Sequence, residues 1–167
     1  MAWNHNPRVG GSSPSSGIDR VAAPRVAQLY ATTGAVSHLF IPSYRGVACV
    51  LHCHGCRRGQ RPEPTLRELL PAHATAPGKV LLAFHQPWRD SILANALPHY
   101  TDATITSRPD IERSATQIRA LGYAMDDSEY QCGMIGIAAP VFVDGTRSRG
   151  ARTLGSRTRR RPCGRAA

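Results

Sequence analysis

A chain of 167 residues is long enough for one ordinary domain, but too short for a two-domain enzyme or for the partial barrel of radical-SAM chemistry. Its formal charge of +10 suggests a nucleic-acid binder, yet residues 147 to 167 hold eight arginines and no acid, which leaves only +2 for the rest. The sequence has no apolar run long enough to cross a membrane and no signal peptide at its start, so we expect a cytoplasmic protein.

The first elements along the chain are a helix and a hairpin. Residues 1 to 18 are rich in serine, glycine and proline and are predicted to be unstructured. Residues 18 to 33 place apolar side chains at mostly helical spacing, with Pro24 in the first turn and Gly34 ending the helix. VSHLFIP and GVACVLHC then indicate two strands, and the SYRG turn between them predicts a β-hairpin.

The stretch CVLHCHGC in the second strand has the spacing of an iron-sulfur or zinc site. Side chains alternate across a strand, however, so Cys49 and Cys53 face one way while His52 and His54 face the other. Cys53, His54 and Cys56 could still approach one another, but no second pair at zinc-finger spacing follows. We therefore expect buried apolar cysteines and no metal. An odd total of five cysteines also argues against a disulfide scaffold.

Three helices and a strand are predicted in the second half. Thr75 can cap a helix that has Pro77 in its first turn, and a second amphipathic helix follows Pro87. A third helix is predicted from a cap at Ser107 to Gly122, because both residue types are typical of those positions. GMIGIAAPVFV then indicates an apolar strand.

Four pieces of the chain resemble, in order, the effector-binding domain of IclR-type bacterial transcriptional regulators. They are HATAPGKVLLAF, LPHYT, TIT and IRALGYAMDDSEYQCGMIGIAAPVF, and the resemblance covers about residues 19 to 145. It implies an α+β, GAF-like fold, in which helices pack on a curved antiparallel sheet. It also implies binding of a small metabolite, often a carboxylate, and a homodimer or tetramer that adjusts an attached winged helix-turn-helix on DNA.

The resemblance places the effector site at five positions. Backbone N–H groups of Thr75, Ala76 and Pro77 would face the effector, although proline lacks this donor. Asp126 matches the acidic residue that accepts hydrogen bonds from effector hydroxyl groups, and Gly136 stands where many members have a cysteine. Two other interpretations stay open: Asp126 as a solvated acid in a turn, and Gly136 as a β-bulge.

The resemblance also indicates what is missing. Residues 1 to 18 are too few for the winged-helix domain, so we expect no sequence-specific DNA binding by this chain alone. The apolar strand expected after PVFVDG is replaced from Thr146 by arginine-rich sequence, a change that an out-of-frame extension of a GC-rich gene would produce. We therefore predict a partial domain over residues 19 to 146 and a disordered tail over 147 to 167.

A missing strand has two expected consequences. The strand Met134 to Val143 would keep one unpaired edge, which predicts self-association. The pocket would also lack a wall, and Pro77 would lack a donor, which predicts only weak binding of small carboxylates such as glyoxylate or pyruvate.

Enzymatic function is not expected. The sequence contains no GxSxG elbow, no HExxH pair and no complete phosphate loop around APGKV, and nothing in it calls for a cofactor. A nucleophilic Cys132 paired with a distant histidine stays open as an alternative. Non-specific nucleic-acid binding through the arginine-rich tail is the other alternative, because arginines contact phosphates without reading sequence.

Overall fold

The fold combines helices with one antiparallel sheet, which confirms the predicted α+β class. The computed structural model describes residues 15–53, 69–143 and 147–155. Within them the helices are α1 (Ser15–Thr33), α2 (Ala76–Phe84), α3 (Gln86–Leu93) and α4 (Arg108–Leu121). The strands are β1 (Val36–Ser43), β2 (Gly46–Cys53), β3 (Leu69–Leu70), β4 (Ala124–Asp127), β5 (Ile135–Val143) and β6 (Arg147–Gly155). They form one sheet in the order β3-β2-β1-β6-β5-β4.

The predicted hairpin is confirmed as β1 and β2. Ser43 pairs with Gly46, so Tyr44 and Arg45 form a two-residue turn. A Cβ at Gly46 would overlap the carbonyl oxygen of Leu70, so glycine lets β3 pair closely with β2.

Helix α1 covers one face of this hairpin. Its Ala22 and Val26 are buried against Leu39 and Leu51 of the two strands. The helix starts at Ser15, earlier than predicted, so Pro24 lies in its interior and not in its first turn. Gly34 ends the helix as predicted, with a left-handed φ of 66°.

The opposite side of the sheet is covered by α2 and α4. Helix α2 is buried from Ala76 to Ala83, and its Val80 packs with Ile118 of α4 and with Ala138 of β5. A Cβ at Gly78 would overlap the backbone of Ala72, so the first turn of α2 lies tightly on the preceding loop. This packing holds the start of α2 against the centre of the sheet.

The predicted ends of α4 are also confirmed. Ser107 is its N-cap and accepts a hydrogen bond from the backbone N–H of Asp110 at 3.3 Å. Gly122 is its C-cap in the left-handed conformation. By contrast, α3 begins before Pro87 and not after it, because Pro87 lies in the first turn of α3.

Strand β6 contradicts the expected disorder of the tail. Arg147–Gly155 lies in the interior of the sheet and pairs with β1 on one side and β5 on the other. The prediction of disorder was wrong because it rested only on the small apolar surface that the tail can bury. A central strand also gains backbone hydrogen bonds on both sides, which any non-proline residue can make. Residues 156–167 lie outside the described residues.

Two further expectations change with this strand. Because β5 is paired on both sides, with β4 and β6, the expected unpaired edge along Met134 to Val143 is absent, and so is the expected gap at the end of the sheet. The described sheet ends at β3 and β4 instead.

At the N-terminal end of the described chain, helix α1 includes residues 15 to 18, which were expected to be unstructured. Residues 1–14 lie outside the described residues.

The cysteine-rich stretch is only partly described. Cys49 and Cys53 are buried on β2, whereas His54 and Cys56 lie outside the described residues. Cys53 and Cys132 take part in disulfide bonds, so the expectation of cysteines without disulfides is wrong for these two.

None of the described helices is both long and apolar enough to span a membrane.

Candidate functional site

Three of the five predicted site residues meet where the start of α2 lies on the sheet. Gly136 of β5 pairs directly with Asp126 of β4, and in an antiparallel pair such residues point to the same face. A Cβ built on Gly136 would lie 3.8 Å from the Cβ of Ala76. Ala76, Asp126 and Gly136 therefore surround one small region at the helix N-terminus, which we call the α2 site.

The start of α2 leaves backbone donors without a side-chain cap. Thr75 occupies the N-cap position as predicted, but its hydroxyl group donates to the carbonyl oxygen of Pro71 at 2.7 Å and makes no cap hydrogen bond. The backbone N–H of Lys79 makes the first helical bond, to Thr75, at 2.9 Å. Pro77 is buried in the first turn and has no N–H. The positive end of the helix dipole is thus directed at the α2 site.

Asp126 is an interior acid and not a solvated turn residue. It is 4% exposed, because the alternation along β4 turns Ala124 and Asp126 inward. Its Oδ1 accepts a hydrogen bond from the backbone N–H of Glu129 at 2.9 Å. Burial raises the pKa of Asp126 to about 6.

Gly136 is not a bulge. Its register with Asp126 is regular, and the irregularity in β5 falls between Val141 and Phe142. The missing side chain therefore leaves space over Ala76 without disturbing the strand pairing. The interpretation of Gly136 as a pocket residue requires this space.

A buried ion pair beside the site was not predicted. Lys79 Nζ donates to Glu129 Oε1, and the two side chains are only 10% and 12% exposed. Burial raises the pKa of Glu129, while the neighbouring ammonium group of Lys79 opposes this rise. The second oxygen, Oε2, is buried without a hydrogen-bond partner among the described residues. No sequence signal could have revealed the pair, because its two residues lie 50 positions apart in the chain.

Two threonines hold the turn that carries Glu129. Thr104 Oγ1 donates to the carbonyl oxygen of Glu129 at 2.6 Å, and Thr101 Oγ1 donates to that of Ser128 at 2.6 Å. Ser128 itself has a left-handed φ of 62°, a strained conformation that these bonds help to maintain. Thr101 of the LPHYT segment and Thr104 of the TIT segment therefore position the turn that carries Glu129.

The α2 site combines a positive helix end with two carboxyl groups. Asp126 and Glu129 are acceptors when ionised, and Lys79 balances only one of them. A ligand that fits both sides would place an anionic group at the start of α2 and a hydrogen-bond donor, such as a hydroxyl group, near Asp126.

The raised pKa of Asp126 predicts a pH-dependent stability. The folded state binds this proton more tightly than the unfolded state, so the stabilisation is complete below pH 3.8 and is lost as the pH rises through about 6. The full shift corresponds to about 3 kcal/mol, of which about 1 kcal/mol is lost between pH 5 and pH 8. Glu129 contributes in the same direction.

Urea unfolding at these two pH values measures this effect. Asp126→Asn keeps the acceptor for the Glu129 N–H but cannot ionise, so its stability should fall less than that of the wild type. Asp102→Asn, at an exposed acid, is the matched control and should follow the wild type. An Asp126→Asn variant with the full wild-type loss would contradict the assignment.

Comparison with known sequences finds one family model, described as the C-terminal domain of the bacterial transcriptional regulator IclR, which matches residues 13–160. The transcriptional regulator BhcR of Paracoccus denitrificans is 34% identical over 131 residues, which cover 76% of this chain and 46% of that protein. XynR of Escherichia coli is 37% identical over 97 residues, which cover 54% of this chain and 37% of that protein. The chain thus spans less than half the length of these relatives.

Solved structures show the same architecture. The inducer-binding domain of PobR from Acinetobacter, a double mutant in complex with 3-hydroxybenzoic acid, is 26% identical with a TM-score of 0.68, and the alignment covers 83% of this chain and 82% of that one. An IclR homologue from Microbacterium hydrocarbonoxydans, in complex with 4-hydroxybenzoate, is 20% identical with a TM-score of 0.72, over 85% of this chain and 59% of that one. The latter similarity concerns the fold alone.

Proposed function

Since the chain belongs to the IclR family of bacterial transcriptional regulators and is its C-terminal effector-binding domain, we propose that it binds a small hydroxylated carboxylate in the α2 site. The family is not enzymatic, and its relatives here are named as transcriptional regulators. The effector carboxylate would lie at the start of α2, beside Thr75, Ala76 and Pro77, and a hydroxyl group would donate to Asp126. Gly136 would leave room for the body of the ligand.

One observation carries this proposal. The buried carboxyl group of Asp126 lies next to the open position at Gly136, opposite an α2 N-terminus that has no side-chain cap. Uncapped helical N–H groups are costly to bury unless a partner satisfies them, and the carboxyl group of Asp126, which accepts a hydrogen bond from the Glu129 N–H, can accept more than one. A ligand with a donor at one end and an anion at the other would satisfy both.

The ligand of one relative supports the same chemistry. The PobR inducer-binding domain was solved with 3-hydroxybenzoic acid, which has a carboxyl group and a hydroxyl group on a rigid ring. Pyruvate and glyoxylate lack this ring and would bury less apolar surface, so we expect them to bind more weakly.

We further propose that the domain works in the cytoplasm as part of a homodimer or tetramer. The outer edge of β4, where the described sheet ends, offers backbone groups that a second copy could pair with. Sedimentation equilibrium of the chain measures this directly.

Calorimetric titration with 3-hydroxybenzoate tests the binding proposal. Gly136→Phe should abolish binding because the ring fills the space over Ala76, whereas Ala139→Phe, on the exposed face of the same strand, should not. Asp126→Ala should weaken binding by about tenfold or more, because a charged hydrogen-bond acceptor is lost. Pro77→Ala restores a backbone donor and should strengthen binding by a similar factor.

Benzoate, which has no hydroxyl group, is the matched ligand. It should bind the wild type more weakly than 3-hydroxybenzoate, and Asp126→Ala should change its affinity little. If Gly136→Phe and Ala139→Phe bound 3-hydroxybenzoate equally well, the ligand would not lie in the α2 site.

A further inference from the structure

The carboxyl group of Glu129 has one oxygen atom that the described residues leave without a hydrogen-bond donor. Only 9% of the surface of Glu129 is exposed, and its Oε1 accepts a hydrogen bond from Lys79 Nζ. Its Oε2 is buried as well, but it has no hydrogen-bond partner among the described residues. Most buried polar atoms in proteins have a partner, because burying one without a hydrogen bond is costly. This oxygen atom therefore marks a place where a donor is missing.

The hydroxyl groups that contact the turn of Glu129 are already used. Thr104 Oγ1 donates to the carbonyl oxygen of Glu129, and Thr101 Oγ1 donates to that of Ser128. A hydroxyl group has only one proton to donate. Asp126, the other acid of the α2 site, is an acceptor when it is ionised. A bound molecule can supply the donor that these groups do not.

Glu129 lies beside the acid that the proposed effector contacts. Its backbone N–H donates to Asp126 Oδ1 at 2.9 Å. Burial is the main cause of the raised pKa of Asp126, and the charge of Glu129 raises this pKa further. The two carboxyl groups are therefore close enough to interact. An effector whose hydroxyl group donates to Asp126 would place its neighbouring substituents near Glu129.

We propose that the effector carries a second hydroxyl group that donates to Glu129 Oε2, and that Glu129 selects dihydroxylated over monohydroxylated acids. This inference rests on the proposed function, because it adds one contact to the same site. Lys79 already neutralises the charge of Glu129. A neutral hydroxyl group therefore fits better than an ammonium group, which Lys79 would repel.

Calorimetric titration of the full chain with 3,4- and 3,5-dihydroxybenzoate, compared with 3-hydroxybenzoate, tests the proposal. At least one of the two dihydroxy acids should bind about tenfold more tightly than 3-hydroxybenzoate, because a hydrogen bond to a buried carboxylate is gained. A fluorine atom in place of the second hydroxyl group is similar in size but cannot donate. The fluorinated analogue should therefore lose the gain.

Variants of the chain assign this preference to Glu129. In Glu129→Gln the amide oxygen should turn toward Lys79, which leaves an NH₂ group at the position of Oε2, so the preference should disappear. The double variant Lys79→Met with Glu129→Leu removes both charges and keeps the test decisive if Glu129→Gln does not fold. It should also show no preference. Asp127→Asn changes an exposed neighbouring acid and should keep the preference of the wild type.

The outcomes separate this inference from the proposed function. Binding of 3-hydroxybenzoate without any preference for a dihydroxy acid would overturn the inference alone, and an ordered water molecule at Oε2 would give this result. Equal binding of the fluorinated analogue and the dihydroxy acid, or an unchanged preference in both Glu129 variants, would overturn it as well. If none of the three acids binds the wild type, both proposals fail.

Discussion

A chain that ends at Val143 is expected not to fold, whereas a chain that ends at Gly155 is expected to keep its structure. Strand β6 lies between β1 and β5, and it pairs with β5 from Arg147 to Gly155 and with β1 from Ala151 to Gly155. Without it, the sheet separates into a β3-β2-β1 part and a β5-β4 part, each with a newly unpaired edge. Exposed edges of this kind promote aggregation, so the shorter chain should lose its unfolding transition and sediment as large species.

Far-ultraviolet circular dichroism, thermal unfolding and sedimentation velocity measure this difference. The chain that ends at Gly155 is the control, because it lacks only residues 156–167. A cooperative transition of the chain ending at Val143, within a few degrees of the full chain, would show that β6 is dispensable.

The same pair of chains tests non-specific nucleic-acid binding through the tail. Five of the eight arginines in residues 147 to 167 follow Gly155. Salt-dependent DNA binding by the full chain that disappears in the chain ending at Gly155 would support this alternative. The comparison is informative because the control keeps β6.

Replacing Lys79 by methionine is expected to destabilise the domain by about 3–5 kcal/mol, because it leaves the buried carboxylate of Glu129 without its counter-ion. Methionine keeps most of the volume of the lysine side chain, so the loss reflects charge more than packing. The loss should be smaller at low pH, where Glu129 is protonated, since burial already raises its pKa.

Two variants make the Lys79 measurement interpretable. Arg108→Met breaks an exposed pair with Glu112 and should change the free energy of unfolding by less than about 1 kcal/mol. The double variant Lys79→Met with Glu129→Leu removes both charges and should recover most of the lost stability. Equal effects of Lys79→Met and Arg108→Met in chemical denaturation would contradict a buried pair.

The parts of the fold that depend on local interactions could be predicted from the sequence. The hairpin turn at Tyr44 and Arg45, the cap at Ser107 and the left-handed end at Gly122 each depend on the intrinsic preferences of a few adjacent residues. The positions of Asp126 and Gly136 came from resemblance, and the structure brings them together because their strands pair in regular register.

The remaining features depended on partners that only the folded chain supplies. Thr75 has the residue type of a helix cap, but the preceding loop places the carbonyl oxygen of Pro71 within reach of its hydroxyl group. Lys79 and Glu129 are 50 residues apart, and no local pattern indicates that both would be buried together. Arg147–Gly155 has the composition of a disordered tail, yet it becomes a central strand because β1 and β5 leave room between them. The backbone from Ala151 to Gly155 is then paired on both sides, and such pairing does not depend on the side chains.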